Sequence, residues 1–294
     1  MNTLRIRDLR LGFKGWSGTV EVLHGISLHI AKGERVAVVG ESGSGKSVTA
    51  RIVLGLLQSL RATRLSGLVE FEGRDLSKLS ERERHALRGT RMSMIFQDPT
   101  SSLNPVYPIL SQFHEVLRRA NPAISIGEAR ARAEKALADV SITDPARALD
   151  SYPFQLSGGM NQRVMVAMAL ANEPSLLIAD EPGTALDVTV QAQTLRLMRE
   201  QVERHGTSVL FISHNLGVVR EFADRVYVIY KGRIAEQGPT AALFEDPRHP
   251  YTRALLDAVP RITGEGIPEI EDASEAYFAP TVVHEGYGEP EGVA

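Results

Sequence analysis

The feature that most constrains the fold of this chain is the glycine-rich stretch GESGSGKS at positions 40–47. It follows RVAVVG, a short valine-rich run that is typical of a fully buried strand, and it precedes SVTARIVLGLL, which has a helical pattern. A strand, a glycine-rich loop and a helix in this order form the context of a phosphate-binding loop. In such a loop the backbone amides and the positive helix N-terminus bind anionic oxygens.

The loop fits the pattern G-x-x-x-x-G-K-[ST]. Its chemistry predicts that Lys46 reaches the β- and γ-phosphates of a nucleoside triphosphate and that the Ser47 hydroxyl binds Mg²⁺. We therefore expect cofactor contacts from this set of residues: Gly40, Glu41, Ser42, Gly43, Ser44, Gly45, Lys46, Ser47 and Val48.

A second set of polar residues follows another buried strand, in the stretch SLLIADEP. Asp180 ends the predicted strand and is the acidic partner that a triphosphate site needs for Mg²⁺. Glu181 is the next residue and is a candidate general base for an attacking water.

Composition excludes several classes of protein. The formal net charge is −3 and cysteine is absent. The chain has no global basic field, so we expect no nucleic-acid partner, and it has no disulfides or thiolate metal sites. The N-terminal stretch has no signal-like apolar region, and no run approaches the roughly 18 apolar residues of a membrane span. We expect any association with a membrane to go through a partner.

Strand-like and helix-like stretches alternate along most of the chain, which predicts an α/β fold with a largely parallel core. Between positions 99 and 160, prolines punctuate helix-forming stretches, and we predict a small inserted helical subdomain there. Ser80 and Glu83 have the spacing of a capping box at a helix start. Gly206 is expected to end a long helix.

The C-terminal segment 261–294 differs in charge from the rest of the chain. It carries eight acidic residues and one arginine, for a net charge of −7, whereas residues 1–260 carry +4. With three prolines, five glycines and few clustered apolar residues, it is expected to be a flexible, solvated tail. A tail that binds a partner is the alternative.

A second glycine-rich loop, LSGGM at 156–160, stands at the start of another helix. Together with five other motifs it resembles the nucleotide-binding subunits of ABC transporters. The other motifs, in chain order, are the phosphate loop, FQDP (96–99), LLIADEP (176–182), ALD (185–187) and SH (213–214). The resemblance covers about residues 1–260. It implies a P-loop NTPase of the ABC type, with a mostly parallel core sheet, an N-terminal antiparallel β region, an inserted helical subdomain, and ATP and Mg²⁺ as cofactors.

The resemblance also implies roles for single residues. Gln97 would contact Mg²⁺ or water, and His214 would contact the γ-phosphate, so that both act in catalysis with Glu181. Two such chains would pair head to tail, each lending its second loop to the other's nucleotide. The contacts to the partner's nucleotide would come from Ser157, Gly158, Gly159, Gln162 and Asp187. Phe13 would stack on adenine, with Trp16 as its rival.

Two positions depart from the family pattern. Gly183 stands where the family usually has Ser or Thr, and Asn215 where it usually has an acid. Because Gln97, Glu181 and His214 are all present, we predict a site that hydrolyses ATP.

Further stretches resemble the branch of oligopeptide/dipeptide importers: QDPTSSLNPVY (97–107), DVTVQAQ (187–193) and DPRHPYTRALLDAVP (246–260). This implies a second ATPase subunit, a sister subunit being favoured over a copy, two transmembrane permeases, and indirectly an extracytoplasmic solute-binding protein. The chain would lie peripherally on the cytoplasmic face of the membrane. Peptides, nickel, oligosaccharides and opine-like compounds all remain candidate solutes.

Three other classes of protein also carry a phosphate loop: an ABC ATPase acting on DNA or the ribosome, an accessory ABC ATPase of a metabolic complex, and a monomeric P-loop kinase. The single set of motifs, with no long coiled coil and no basic patch, argues against the first. The motifs LSGGM and ALD would have no use in a kinase. The accessory ATPase remains the alternative.

Overall fold

The structure is a computed structural model that describes residues 2–15, 18–57, 63–97, 102–183, 187–258 and 274–284. The chain divides into two compact units. Unit 1 comprises Met1–Ala31, Arg35–Lys78 and Phe211–Ala294, and unit 2 comprises Lys32–Glu34 and Leu79–Leu210.

The described strands are β1 Asn2–Gly15, β2 Gly18–Ala31, β3 Arg35–Val39, β4 Thr63–Phe71, β5 Arg74–Asp75, β6 Met92–Ile95, β7 Leu176–Asp180, β8 Ser208–Ile212, β9 Arg225–Tyr230, β10 Arg233–Pro239 and β11 Val282–Val283. The described α-helices are α1 Lys46–Val53, α2 Glu81–Leu87, α3 Ile109–Ala120, α4 Ile126–Asp139, α5 Pro145–Asp150, α6 Gly158–Leu170, α7 Val188–His205, α8 Leu216–Phe222, α9 Thr240–Glu245 and α10 Pro250–Asp257.

Unit 1 contains an antiparallel sheet with strand order β2-β1-β4-β5. On β1, Leu4 and Ile6 are fully buried and lie opposite Phe71 and Val69 of β4. The alternation of apolar and polar residues on β1 therefore covers one buried face, as period-2 patterning requires. This sheet is the predicted N-terminal antiparallel β region.

Unit 1 also contains the strand order β11-β10-β9-β3. Strand β3 pairs with β9 in parallel, and β10 pairs with β9 as an antiparallel hairpin. All six residues of β9 are buried, as are four of the five in β3. Continuous apolar runs of this kind are typical of strands that are covered on both faces.

Unit 2 contains the parallel pair β6 and β7, in register from Met92 opposite Leu176 to Ile95 opposite Ala179. The carboxyl ends of the two strands therefore lie at the same edge. Helix α2 begins with the capping box predicted for Ser80 and Glu83, and α7 ends at Gly206 with a φ of 63°. The predicted α/β class is confirmed.

Helices α3, α4 and α5 contact one another within unit 2. Their apolar residues face inward, with Ile109, Phe113 and Leu117 of α3 buried together with Ala133 and Leu137 of α4. These helices lie in the stretch where a helical subdomain was expected, and its boundaries at about 99 and 160 stay a prediction.

Residues 274–284 differ from the flexible tail expected over 261–294. They form a 3₁₀ helix at Glu275–Phe278, and β11 pairs in parallel with β10. The reason is tertiary contact, because the Tyr277 ring packs against Tyr230 and Tyr251 and the buried His284 pairs with Glu236 of β10. The rest of the tail lies outside the described residues.

Among the described residues, no helix combines the length and apolar character needed to cross a bilayer.

Candidate functional site

The phosphate loop of unit 1 joins β3 to α1 and is shaped by three glycines. Gly40, Gly43 and Gly45 have φ values of 146°, 80° and 105°, which side-chain-bearing residues rarely adopt. A Cβ atom on Gly40 would lie 2.1 Å from the backbone oxygen of Ile229, so the loop needs glycine there for space as well.

Lys46, the first residue of α1, is 6% exposed. Its ammonium nitrogen Nζ donates to the carbonyl oxygens of Gly40 at 2.8 Å and Glu41 at 2.7 Å. The side chain thus bends back across its own loop. This places a positive charge where the N-terminus of α1 already favours anions. Ser42 and Gly43, in the middle of the loop, are exposed. Ser47 and Val48 are partly buried in the first turn of α1.

His214 follows β8 in unit 1 and is exposed. Its neighbour Ser213 is buried and donates its backbone N–H to the oxygen of Val38 in β3 at 3.4 Å. Asn215 accepts the N–H of Val218 at 3.3 Å through its side chain and caps α8. Asparagine caps a helix about as well as an acid does, so this departure from the family pattern keeps the local structure.

Phe13 lies in β1 opposite Val20 of β2 and Thr63 of β4, and it is partly buried. Its proposed rival for adenine stacking, Trp16, lies outside the described residues. The stacking role of Phe13 therefore stays a prediction.

In unit 2, the carboxyl ends of β6 and β7 bring two predicted catalytic residues together. The side-chain nitrogen Nε2 of Gln97 donates to Oε2 of Glu181 at 3.0 Å. Asp180, the last residue of β7, is 7% exposed. Glu181 has a φ of 50°, in the left-handed region, which costs a non-glycine residue about 1–3 kcal/mol. Backbone strain of this kind clusters at functional sites.

The second glycine-rich loop, also in unit 2, ends where α6 begins. Ser157 caps this helix, since its Oγ accepts the N–H of Met160 at 3.2 Å. Ser157 and Gly158 are exposed at the start of the helix, where backbone N–H groups lack partners within the helix and favour anions. A Cβ on Gly159 would lie 2.7 Å from Cγ1 of Val190, which explains the second glycine.

Gln162 corrects one expectation. It was expected to contact the partner's nucleotide, but its side chain is 0% exposed and lies inside unit 2. Neither polar atom of its amide has a hydrogen-bond partner among the described residues. A side chain with no exposed surface does not reach a ligand on another chain, so we no longer assign this contact to Gln162.

Asp187 is exposed and caps α7, because its Oδ1 accepts the N–H of Val190 at 3.0 Å.

The departure from the family pattern at Gly183 has a structural reason. This residue has a φ of 97°, and a Cβ there would lie 3.1 Å from Cγ of Gln191. Glycine is therefore the residue that this turn accommodates without strain.

Sequence reasoning missed one residue that contacts the phosphate loop. The hydroxyl oxygen of Tyr251 accepts the backbone N–H of Glu41 at 3.0 Å, across 210 positions of the chain. The stretch HPYT carries part of the resemblance to the importer branch, and no local pattern around Tyr251 signals this contact.

Comparison with known proteins agrees with these features. Residues 23–184 match the family described as ABC transporter, and residues 235–280 match the C-terminal region of the oligopeptide/dipeptide transporters. The chain is 50% identical over 272 residues to the peptidoglycan transport ATP-binding protein YejF of Agrobacterium fabrum. That match covers 92% of this chain and 49% of the relative, so the chain spans about half of that protein.

A second relative is the probable peptide ABC transporter ATP-binding protein y4tR of Sinorhizobium fredii, at 48% identity over 95% of this chain and 84% of the relative. Among solved structures, a dimeric post-hydrolysis state of the ATP-binding cassette MJ0796, bound to ADP and Pi, superposes with a TM-score of 0.71. The identity there is 27%, over 81% of this chain and 98% of the other. The chain therefore belongs to the ATPases of the ABC transporter family and carries the C-terminal region of its oligopeptide/dipeptide transporters.

Proposed function

We propose that this chain hydrolyses ATP to power the import of a peptide or a related solute, as one of two ATPases on a pair of permeases. The match of residues 235–280 to the oligopeptide/dipeptide transporters carries this proposal. Two relatives are named for peptide and peptidoglycan transport, which favours solutes with a peptide part over nickel, oligosaccharides or opine-like compounds. An accessory ATPase of a metabolic complex has no such support.

The phosphate loop is the proposed site for the triphosphate. Ser42 and Gly43, in the middle of the loop, are exposed, and the ammonium of Lys46 contacts the loop carbonyls. Phosphate oxygens are better partners for this ammonium than the two carbonyls it contacts here, because a charge-assisted pair is stronger than a bond to a neutral acceptor.

The residues proposed to hold Mg²⁺ are Ser47, Gln97 and Asp180. Their hydroxyl, amide and carboxylate oxygens are the ligand types that Mg²⁺ prefers, and Mg²⁺ characteristically takes one or two protein carboxylates together with phosphate oxygens. The donor set therefore fits the ion. When bound, it would neutralise charge on the phosphates.

Glu181 is the proposed general base. It would accept a proton from the attacking water as the water oxygen bonds to the γ-phosphorus, while the bond from that phosphorus to the β–γ bridging oxygen breaks and ADP leaves. Gln97 donates a hydrogen bond to one oxygen of this carboxylate, which favours a fixed orientation of the kind that a positioned base requires. His214 is exposed after β8 and is proposed to contact the γ-phosphate.

Ser157, Gly158 and Gly159 are proposed to bind the γ-phosphate held by a second ATPase, with Asp187 at the same interface. The exposure of Ser157 and Gly158 at the start of α6, a helix of 13 residues, supports this. Closure of the pair would then depend on an intact γ-phosphate, and hydrolysis would release it. We favour a sister subunit as the partner.

A group of exposed apolar residues in unit 2 is the proposed contact with the permeases. Its members are Val106, Tyr107, Tyr152 and Phe154, of which Phe154 is 73% exposed. The N–H of Ile109 donates to the oxygen of Ser151 at 3.0 Å, which brings the two segments side by side. Clustered exposed apolar residues mark interaction sites. This contact would hold the chain on the cytoplasmic face of the membrane.

The test is co-expression with candidate permeases and purification from detergent-solubilised membranes. We expect the permeases to co-purify, and a solute-loaded binding protein to stimulate ATP hydrolysis. Phe154→Ser should reduce co-purification, whereas Ile126→Ser, at an exposed apolar residue outside this surface, should not. If no permease co-purifies with the unaltered chain, the importer function is wrong.

A further inference from the structure

We propose that Tyr251 positions the phosphate loop and couples it to the C-terminal segment 274–284. This inference rests on the proposed nucleotide site. It assigns to Tyr251 a role in nucleotide affinity, and to the C-terminal segment a role as the support of that residue.

The first observation is the contact with the loop. The hydroxyl oxygen of Tyr251 accepts the N–H of Glu41, the residue after the first glycine of the loop. Tyr251 is 0% exposed, and burial raises the pKa of its phenol, so the hydroxyl stays neutral at working pH. A fixed acceptor at this amide restricts the backbone of the loop before any nucleotide binds, and preorganisation of this kind increases affinity.

Two further contacts connect the phosphate loop to β9 and to the turn that follows it in unit 1. The N–H of Gly232, in the turn between β9 and β10, donates to the oxygen of Ser44 at 3.0 Å. Gly40 closely approaches the backbone of Ile229 in β9. The conformation of the loop therefore depends on β9, on the turn after it and on Tyr251.

The second observation is that the Tyr251 ring packs against two other tyrosine rings. It lies 4.4 Å, between ring centroids, from Tyr230 at the end of β9, and 5.5 Å from Tyr277 of the C-terminal 3₁₀ helix. Tyr277 also meets Tyr230 edge-on at 5.6 Å. Each of the three rings thus touches the other two, and aromatic contacts of this geometry contribute beyond burial alone. One member comes from the acidic segment that composition alone assigns to solvent.

The buried carboxylate of Glu236 also holds the C-terminal segment 274–284 in place. Glu236 of β10 accepts the backbone N–H of His249 at 3.1 Å through Oε2 and pairs with Nε2 of His284 at 2.9 Å through Oε1. Nδ1 of His249 in turn accepts the N–H of Tyr251 at 3.1 Å and caps α10. The start of α10 and the end of the C-terminal segment therefore both bind the carboxylate of Glu236.

These contacts form a continuous path from residues 274–284 through Tyr277 and Tyr251 to the amide of Glu41. A hydrogen bond to a backbone amide typically shifts an equilibrium by about 2- to 10-fold. Tyr251→Phe should therefore weaken binding of a fluorescent ATP analogue and raise the KM for ATP by about that factor, while kcat changes little because the proposed base and water remain.

Tyr230→Phe is the matched control. It also removes one phenol hydroxyl from the same cluster, but this hydroxyl has no hydrogen-bond partner among the described residues. We expect KM and kcat to stay at the wild-type values. An equal change in KM for both variants would mean that the three tyrosines act only through the stability of the fold, and the proposal would be wrong.

Tyr277→Ala tests the C-terminal segment. It should raise KM in the wild-type background and change it little in the Tyr251→Phe background, because both substitutions interrupt one path. Independent, multiplicative effects would overturn the coupling. Thermal unfolding of each variant, followed by circular dichroism, shows whether the fold is retained. A Tyr277→Phe variant, which keeps the ring, should restore the wild-type KM.

Lys46→Ala separates this inference from the proposed function. If Lys46→Ala abolishes binding of the analogue and Tyr251→Phe has no effect, the nucleotide site stands and the inference about Tyr251 is wrong. If Lys46→Ala leaves binding intact, the proposed site is wrong, and with it the role assigned to Tyr251.

Discussion

Gln97 and Glu181 lie 84 positions apart in the chain, and their side chains meet in a hydrogen bond of 3.0 Å. Each follows a strand of the same parallel pair, β6 and β7. Because parallel strands end at one edge of the sheet, two residues with separate sequence signals become neighbours. The amide then holds the carboxylate that is proposed to receive a proton from water.

Glu181→Gln should lower the rate of ATP hydrolysis by about 100- to 10,000-fold, since the variant side chain cannot accept the proton. ATP should still bind, and the paired ATPases should accumulate in a closed form. Phosphate release and size-exclusion chromatography with ATP measure both effects. Glu200→Gln, at an exposed acid of α7, is the control and should hydrolyse ATP normally. Hydrolysis near the wild-type rate in Glu181→Gln would exclude Glu181 as the base.

Ser157→Arg should impair the nucleotide site on the partner chain more than the site on this chain. The bulk of the arginine side chain would keep the γ-phosphate away from the amides at the start of α6, and lost stabilisation of this kind costs on the order of 100-fold in rate. The measurement needs a pair of two different ATPases, with hydrolysis followed at each site by a photo-crosslinked ATP analogue. Ser111→Arg, at an exposed position of α3, is the control. An equal loss at both sites would contradict the shared arrangement.

Gly183→Ala should destabilise the fold by about 1–2 kcal/mol, because an L residue in the left-handed region is penalised by that amount. The new Cβ would also lie 3.1 Å from Cγ of Gln191. Urea unfolding measures the change. Gly127→Ala is the control, since Gly127 lies in helix α4 with open space around a Cβ. That substitution should be neutral or stabilising. A Gly183→Ala variant as stable as the wild type would show that the turn tolerates a side chain.

The capping box of α4 predicts a dependence on pH. The backbone N–H and the hydroxyl of Ser125 donate to the Glu128 carboxylate and lower the pKa of that group. A carboxyl group with a lowered pKa in the folded state stabilises the fold above its unfolded pKa, which is about 4.3. This contribution disappears as the pH falls through the lower, folded value.

Ser125→Ala should therefore lower the thermal midpoint at pH 7 more than at pH 3, measured relative to the wild type at each pH. Ser111→Ala, which removes a hydroxyl from an exposed position of α3, should show no such difference between the two pH values. A Ser125→Ala deficit that is the same at both pH values would mean that the hydroxyl acts without the Glu128 carboxylate.

Several features were predictable because they depend on residues close together in the chain. The hairpin of β9 and β10, the helix stop at Gly206 and the phosphate loop between β3 and α1 all follow from local patterns. Gln162 was not predictable in the same way. Helix α6 is buried on most of its surface, so its sequence has no clear polar face from which to choose the exposed side chains.

The sequence by itself determined the class of fold, the phosphate loop and the order of the motifs, since glycine conformation, periodicity and capping act over a few neighbouring residues. Only the tertiary structure decided that Gln97 meets Glu181, that Tyr251 meets Glu41, and that residues 274–284 fold onto β10. The physical reason is that hydrogen bonds and ring contacts between distant segments depend on how the strands that carry them are ordered and aligned. No local pattern in the chain records that alignment.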